Sequence, residues 1–453
     1  MTRTLKQRAV RSGTWVVFGH FFSQVLRLGS NLVLTRLLVP EMFGVMAIAF
    51  VIMGGLAMFS DVGLLQNIVQ SKRGEEPSYL NTAWTIQILR GFVIFLISLL
   101  LSAGLYFVGL AGYLSVDTVY GNPQLPLILA VVSVSAMISG FNSIHILLLN
   151  RKLMLGKLTA INLISQVIGL IFMLTWAWYQ RDIWALIIAG IVSAVIKLIL
   201  SHTMHLGERC QFHWDKPAVH EIIHFGKWIF ISSILGFLLS QGDRLLLGFW
   251  ISPEIMGVYS IAFFLAMALK DVIKKMVSSV FYPMLSEVAR DNPHQLKETY
   301  YKIRAKVDVI TMLSAGLMAS MGQPIIKLLY DDRYIEAGWM LEVLSWSIVF
   351  VGYSMAGICL MAKGNVKSTA WLIFTATVFL YTCLPVAYAY YGMYGAVVMI
   401  SLNYIIDIPS TFYMLKKNEL LDIRKEFQMV PVLIISYYLG LYLLDFLKLR
   451  GFI

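Results

Sequence analysis

The sequence predicts an all-α membrane protein, and three observations predict it: an apolar composition, apolar runs that recur at membrane-spanning length, and loops that alternate in charge. Of 453 residues, 58% are hydrophobic and only 13% are charged, with a mean hydropathy of +0.75. A soluble chain of this length fills its cores with far less apolar surface. Stretches of roughly 20 mainly apolar residues, bounded by charge, Pro or Gly, give about thirteen spans. They lie near residues 14–38, 43–68, 82–108, 125–149, 158–179, 183–206, 222–250, 257–283, 307–328, 340–362, 368–390, 393–415 and 428–447.

Every second loop carries the basic residues. The series runs from the N-terminal tail (Arg3, Lys6, Arg8, Arg11) through Lys72 and Arg73, Arg151 with Lys152 and Lys157, and Arg209 with Lys216. It continues with Arg290, Lys297, Lys302, Arg304 and Lys306, then Lys363 and Lys367, then Lys416, Lys417, Arg424 and Lys425. The loops around Pro40, Asp117, Pro253 and Gly392 are short and nearly free of Lys and Arg. This is the positive-inside pattern with the N-terminus cytoplasmic, and it accounts for most of the net charge of +11. Nucleic acid is therefore excluded as a partner, although a basic chain can bind it on charge alone. Residues Met1 to Arg11 read as a retained cytoplasmic tail, because the span that follows is too long for a cleavable signal.

No catalytic or metal-binding pattern is visible. Cys210, Cys359 and Cys383 have no CxxC spacing, so neither a disulfide framework nor a zinc knuckle is expected. His202, His205, His213, His220 and His224 gather in one segment without metal-ligand spacing. With no Gly-rich phosphate loop, ATP-driven transport by this chain alone is not expected. A membrane polymerase or glycosyltransferase needs a catalytic domain or a sizeable outer loop, and the longest outer loops here are only Tyr113 to Gln124 and Asp331 to Gly338. No enzyme, cofactor or metal is expected.

An internal repeat sets the organisation. Aligning Trp15 with Trp228 without gaps superimposes Gly13 on Gly226, Gly29 on Gly242, Pro40 on Pro253, Glu41 on Glu254, Gly44 on Gly257 and Val45 on Val258. Ile48, Ala49 and Phe50 fall on Ile261, Ala262 and Phe263. The first two spans thus recur as the seventh and eighth. Copies separated by an even number of spans share orientation and relate by a pseudo-two-fold along the membrane normal, as in two-lobed transporters. Each Pro-Glu-x-x-Gly is a turn between two helices, with Pro and Gly as turn residues.

The stretches LTRLLVPEMFGVMAIAF at 34–50, FSDVGLLQNIVQSK at 59–72 and GDRLLLGFWISPEIMGVYSIAF at 242–263 resemble the polysaccharide transporter family of Wzx-type oligosaccharide flippases. That family sits in the wider superfamily of multidrug extruders and the lipid II flippase. The resemblance implies two pseudo-symmetric six-helix lobes around a central cavity open to one side at a time, plus one or two extra C-terminal helices. The lobes would be residues 1–206 and 207–415, with the extra span or spans in 416–453. An odd number of spans departs from the family's usual plan and would leave Lys448 and Arg450 outside. The implied function is translocation of a polyprenyl-diphosphate-linked oligosaccharide across the cell inner membrane for O-antigen, capsule or exopolysaccharide synthesis. Expected partners are that lipid-linked sugar, membrane lipids, a polysaccharide polymerase and glycosyltransferases. A multidrug antiporter of the same superfamily is the alternative, but it wants a mid-membrane carboxylate in an apolar pocket.

The mid-membrane charges here are mainly basic, as an anionic diphosphate requires. In span one His20, Gln24, Arg27, Asn31 and Thr35 are spaced by four, three, four and four, one helix face. Such a stripe lines a cavity or bonds to neighbouring helices, and Arg27 near mid-span favours the cavity because a cation there must be wetted or paired. Arg90 in span three, Arg244 in span seven, and Lys270 and Lys274 one turn apart in span eight complete the cationic set. Asp61 before Gly63 is a candidate hinge or gate residue, and Asp243 a candidate packing ion pair. Weaker polar faces are Ser135 with Ser139 and Asn142, Thr159 with Asn162 and Gln166, and Asn403 with Asp407.

Overall fold

The computed structural model describes residues 5–204, 207–363 and 365–449, and the side chains of all of these except 5–12, 228, 231, 278, 279 and 366–369. Arg3, His205 and Arg450, singled out above, lie outside the described residues, as do the side chains of Lys6, Arg8, Arg11, Trp228 and Lys367. All regular structure among the described residues is helical. In chain order the helices are α1 (Leu5–Leu37), α2 (Pro40–Phe59), α3 (Leu64–Gln70), α4 (Pro77–Leu110), α5 (Leu125–Gly140), α6 (His145–Arg151), α7 (Leu155–Tyr179), α8 (Trp184–Thr203) and α9 (Lys216–Leu247). Then follow α10 (Pro253–Met276), α11 (Tyr282–Asp291), α12 (Leu296–Leu329), α13 (Ala337–Ser345), α14 (Val351–Ala362), α15 (Val366–Leu402), α16 (Asp407–Lys417), α17 (Ile423–Phe427) and α18 (Val430–Leu449).

The protein is a multi-pass membrane protein. Among the described residues nine helical segments are long and apolar enough to cross a bilayer, and eleven when two bent pairs are each taken as one span. The sequence reading of about thirteen differs at two places. α1 carries the polar stripe, which dilutes its hydropathy. The run Ala370–Lys417 is continuous over 48 residues, which at ~1.5 Å per residue is more than twice the hydrocarbon thickness. Gly392, at φ 58° and ψ −146°, breaks it into two crossings, a backbone conformation that L side chains rarely adopt.

The chain forms two compact units, residues 1–237 with 247–257, and residues 238–246 with 258–453. In the first unit α4 packs along α5, α7 along α8, and α1 along α7. Small residues allow close approach where lipid supplies no hydrophobic drive: Gly91 meets Gly140 and the Ala136 carbonyl. Buried hydroxyls bond across helices, Ser102 Oγ donating to Pro126 O at 2.6 Å and Ser98 Oγ to Leu129 O at 3.3 Å. The repeated Pro-Glu-x-x-Gly segments are not turns between helices but the first turns of α2 and α10, which start at Pro40 and Pro253, and they meet reciprocally in this unit, since Gly44 lies on the Pro253 carbonyl and Gly257 on the Pro40 carbonyl. Neither position has room for a Cβ.

The basic loops of this unit are tied to acidic ones. Arg73 bonds Glu76 at 2.8 Å and Asp215 at 2.7 Å, and Glu75 meets Arg151 at 3.2 Å and Lys152 at 3.7 Å. The Arg73 guanidinium holds the Asp215 carboxyl below its usual range. The segment before α9 is laid along α4, with the N–H groups of Gln211, His213 and Asp215 donating to Asn81, Thr85 and Thr82.

In the second unit α12 is the central strut, packed against α13, α14 and α18. Gly316 meets Ser436 and Gly440 meets Ser320, so two small-residue pairs one turn apart let α12 and α18 cross closely. Tyr300, Tyr301, Val307, Met355, Cys359 and Leu415 belong to one buried apolar cluster at one end of this unit.

Candidate functional site

The second unit encloses a cavity of about 190 Å³. α10 builds one wall, because Phe263, Met267, Lys270 and Lys274 are spaced by four, three and four and so share a face. α9 adds Ser240 and Arg244, again one turn apart, and the break between α15 and α16 adds Asn403 and Tyr404. Three of the cations expected from the sequence, Arg244, Lys270 and Lys274, therefore line one cavity. Two carboxylates, Asp243 and Asp271, line it as well, leaving the wall with one positive charge in excess.

Each charge has a distinct setting. Lys270 is only 4% exposed, with Nζ 4.7 Å from the centroid of the Tyr404 ring. The snorkelling that a long side chain could perform is not what this lysine does; it is held by an aromatic face. Arg244 places its guanidinium carbon 4.5 Å from the Phe263 centroid. Asp243, 3% exposed, accepts a 2.5 Å hydrogen bond from the Tyr259 hydroxyl, so a phenol serves the carboxylate where a cation was expected from the sequence. Lys274 and Asp271 are exposed.

Three buried polar atoms on this wall have no hydrogen-bond partner among the described residues: Arg244 Nε, Ser347 Oγ and Asn403 Oδ1. Buried polar groups in native proteins are nearly always satisfied. The three residues that carry these atoms all line the cavity.

The other sequence candidates lie in the first unit. On α1, Gln24 and Thr35 are buried, His20 and Asn31 are half-buried, and Arg27 is exposed. Gln24 Oε1 has no hydrogen-bond partner among the described residues. The neighbouring face of α1 packs on α7, where Ser23 Oγ donates to Gln166 Oε1 at 2.6 Å. Arg90 serves the end of α2: Nη2 donates to Ala57 O at 2.5 Å, Nε to Ser60 Oγ at 3.1 Å, and Asp61 lies 3.8 Å from Nη1. Asp61 in turn accepts from the Gly63 N–H at 3.0 Å, and Gly63 has φ 63°. A left-handed residue between α2 and α3 interrupts the helix within the span Pro40–Gln70. Gln241, Ser347 and Tyr404 were not legible as site residues in the sequence, because helical spacing does not show which side chains tertiary packing brings to one cavity.

Residues 33–338 match the family described as polysaccharide biosynthesis protein. The chain belongs to that family. The lipopolysaccharide biosynthesis protein WzxC of Escherichia coli (strain K12) is 22% identical over 461 aligned residues, which cover 97% of this chain and 89% of that protein. Among solved structures, the lipid II flippase MurJ in an inward closed conformation superposes with a TM-score of 0.70 at 15% identity, covering 94% of this chain and 92% of MurJ. An inward-facing multidrug resistance transporter of the MATE family gives a TM-score of 0.67 at 12% identity, covering 88% and 94%. The polysaccharide biosynthesis protein therefore has the fold shared by MurJ and the MATE transporters.

Proposed function

We propose that this protein translocates a polyprenyl-diphosphate-linked oligosaccharide across the cell inner membrane by alternating access, for the assembly of a surface polysaccharide. The observation that carries the reading is the second-unit cavity, where Arg244, Lys270 and Lys274 outnumber the carboxylates and polar side chains such as Ser240, Gln241 and Asn403 share the lining. A diphosphate needs fixed cations to offset its desolvation, and sugar hydroxyls need neutral donors and acceptors. A drug cation would need the opposite balance, and of the two carboxylates in the lining Asp243 is already engaged by Tyr259. Glycosyltransferases that build the lipid-linked sugar and a polymerase that consumes it are the partners this chemistry requires.

Separately, Arg27 on α1 of the first unit is proposed as a phosphate contact, with Gln24 and Asn31 beside it. Charge-assisted hydrogen bonds are roughly twice as strong as neutral ones, so Arg27→Gln, which keeps donors and removes charge, is expected to cause lipid-linked oligosaccharide to accumulate on the cytoplasmic leaflet. Arg27→Lys loses less, without the bidentate contact. Full transport by Arg27→Gln at matched protein level would remove Arg27 from the site.

The N-terminus and the segment from Arg290 to Lys306 are proposed to be cytoplasmic, from the basic loops. A cysteine at Asn292 should react with an impermeant maleimide only after the cells are opened. Labelling in intact cells contradicts this topology.

A further inference from the structure

α12 carries Arg304 and Asp308 one turn apart, and α17 brings Glu426 against them. The three side chains are almost sealed, at 1%, 3% and 0% exposure. Arg304 Nε lies 3.2 Å from Asp308 Oδ2, while Nη1 meets Glu426 Oε2 and donates to the Tyr300 hydroxyl at 2.9 Å. Its guanidinium carbon stands 4.7 Å from the Tyr353 ring centroid. The Tyr301 hydroxyl donates to Glu426 Oε1 at 2.7 Å and accepts the Asp422 N–H at 2.8 Å. Other titratable groups near the cluster are the buried thiol of Cys359 on α14, the exposed Lys363 just after that helix, and Lys297, whose Nζ donates to Leu421 O at 2.8 Å. Lys425 is 43% exposed and lies 3.8 Å from Asp422, so it does not neutralise the interior.

The charge count does not close. One guanidinium faces two carboxyl groups in a site without water access, and an uncompensated buried charge is strongly disfavoured. A second observation says which group absorbs the difference. Asp308 Oδ1 is buried and has no hydrogen-bond partner among the described residues; Glu426 Oε2 has none either, but it stands against the Arg304 guanidinium, and Glu426 Oε1 accepts from Tyr301. The Asp308 oxygen has no such neighbour. Asp308 Oδ1 lies against Gly352, where an added Cβ would collide with it. An ionised oxygen in that position would be left bare, whereas a neutral carboxyl tolerates it far better.

We propose that Arg304, Asp308 and Glu426 form a proton-binding site in which the two carboxyl groups share one proton, carried by Asp308. A metal ion does not suit the place, since a hard cation gathers about six or more oxygen ligands and Oδ1 faces the bare backbone of Gly352. Loss of the proton sets two carboxylates against one guanidinium across the contact between α12 and α17. Proton release and detachment of α17 are therefore linked. This inference does not depend on what the protein transports.

The test is infrared spectroscopy of the purified full-length protein in detergent, comparing wild type with Asp308→Asn and Glu426→Gln. Both amides keep the shape. The wild-type spectrum should contain one protonated-carboxyl C=O stretch that disappears in each variant, including Glu426→Gln, because removing either carboxylate leaves Arg304 balanced by the other. Persistence of the band in Asp308→Asn, or its persistence in Glu426→Gln, overturns the shared proton. Thermal unfolding supplies an independent reading. The unfolded carboxyl is ionised above about pH 4, so the native state holds one more proton and wild-type stability falls as pH rises, with up to a tenfold change in the unfolding equilibrium per pH unit. That component should vanish in Asp308→Asn. Identical pH profiles for the two proteins contradict the proposal.

Discussion

Replacing Arg244 with Gln and Lys270 with Met together is expected to abolish transport while leaving the fold intact. Each charge-assisted contact to a phosphate contributes roughly 2 kcal/mol, about thirtyfold in affinity, so the double variant loses nearly a thousandfold if the two act independently. The effect on stability runs the other way for Lys270. It is buried against Tyr404 with no carboxylate bonded to it among the described residues, and a neutral side chain of similar length removes a desolvation cost. Lys270→Met should therefore unfold at the same temperature as wild type or higher, yet bind a radiolabelled polyprenyl-diphosphate sugar far more weakly. Binding unchanged in the double variant would remove the cavity from the mechanism. A large loss of thermal stability in Lys270→Met would instead make that lysine a structural residue.

The second large effect is expected at the repeated turns. Gly257→Val places side-chain carbon on the Pro40 carbonyl, and Gly44→Val does the same to the Pro253 carbonyl. In both places the obstacle is backbone, which cannot rotate aside, so α2 and α10 must separate. Overpacking of this kind costs about 1–3 kcal/mol, and the two substitutions should each lower the thermal midpoint and the yield of monodisperse protein. Gly29→Ala is the control, because a Cβ there meets nothing and Ala favours the helix by about 0.5–1 kcal/mol. Equal behaviour of Gly257→Val and Gly29→Ala would show that the reciprocal contact does not constrain the fold.

Much of the architecture was legible in the sequence because lipid imposes a length on every crossing. The repeat of Pro40 and Gly44 at Pro253 and Gly257 was legible for a second reason, as prolines at helix starts and glycines at close contacts leave marks that apolar residues do not; reading them as turns between helices missed that they begin α2 and α10. What the sequence could not carry were the breaks within spans and the partners of charges. The turn at Ser60 to Gly63 depends on Arg90, some thirty residues away, reaching back to the Ala57 carbonyl. Arg304 reads as one more cation in a basic loop beside Lys302 and Lys306. It is in fact the centre of a buried cluster, because α12 extends over 34 residues and Glu426 arrives from a distant helix. In the cavity, the charges on α10 were visible through their helical spacing, while Ser347 and Tyr404 depend on tertiary packing for their place.

The central claim is tested most directly by reconstituting the purified protein into vesicles with a fluorescent polyprenyl-diphosphate oligosaccharide and measuring how much of it a membrane-impermeant reagent can reach over time. The account predicts that the protected fraction falls with wild-type protein, and stays constant both in protein-free vesicles and with the Arg244→Gln, Lys270→Met variant. Wild-type protein that leaves the protected fraction unchanged, or a double variant that moves the lipid as fast as wild type, would contradict it.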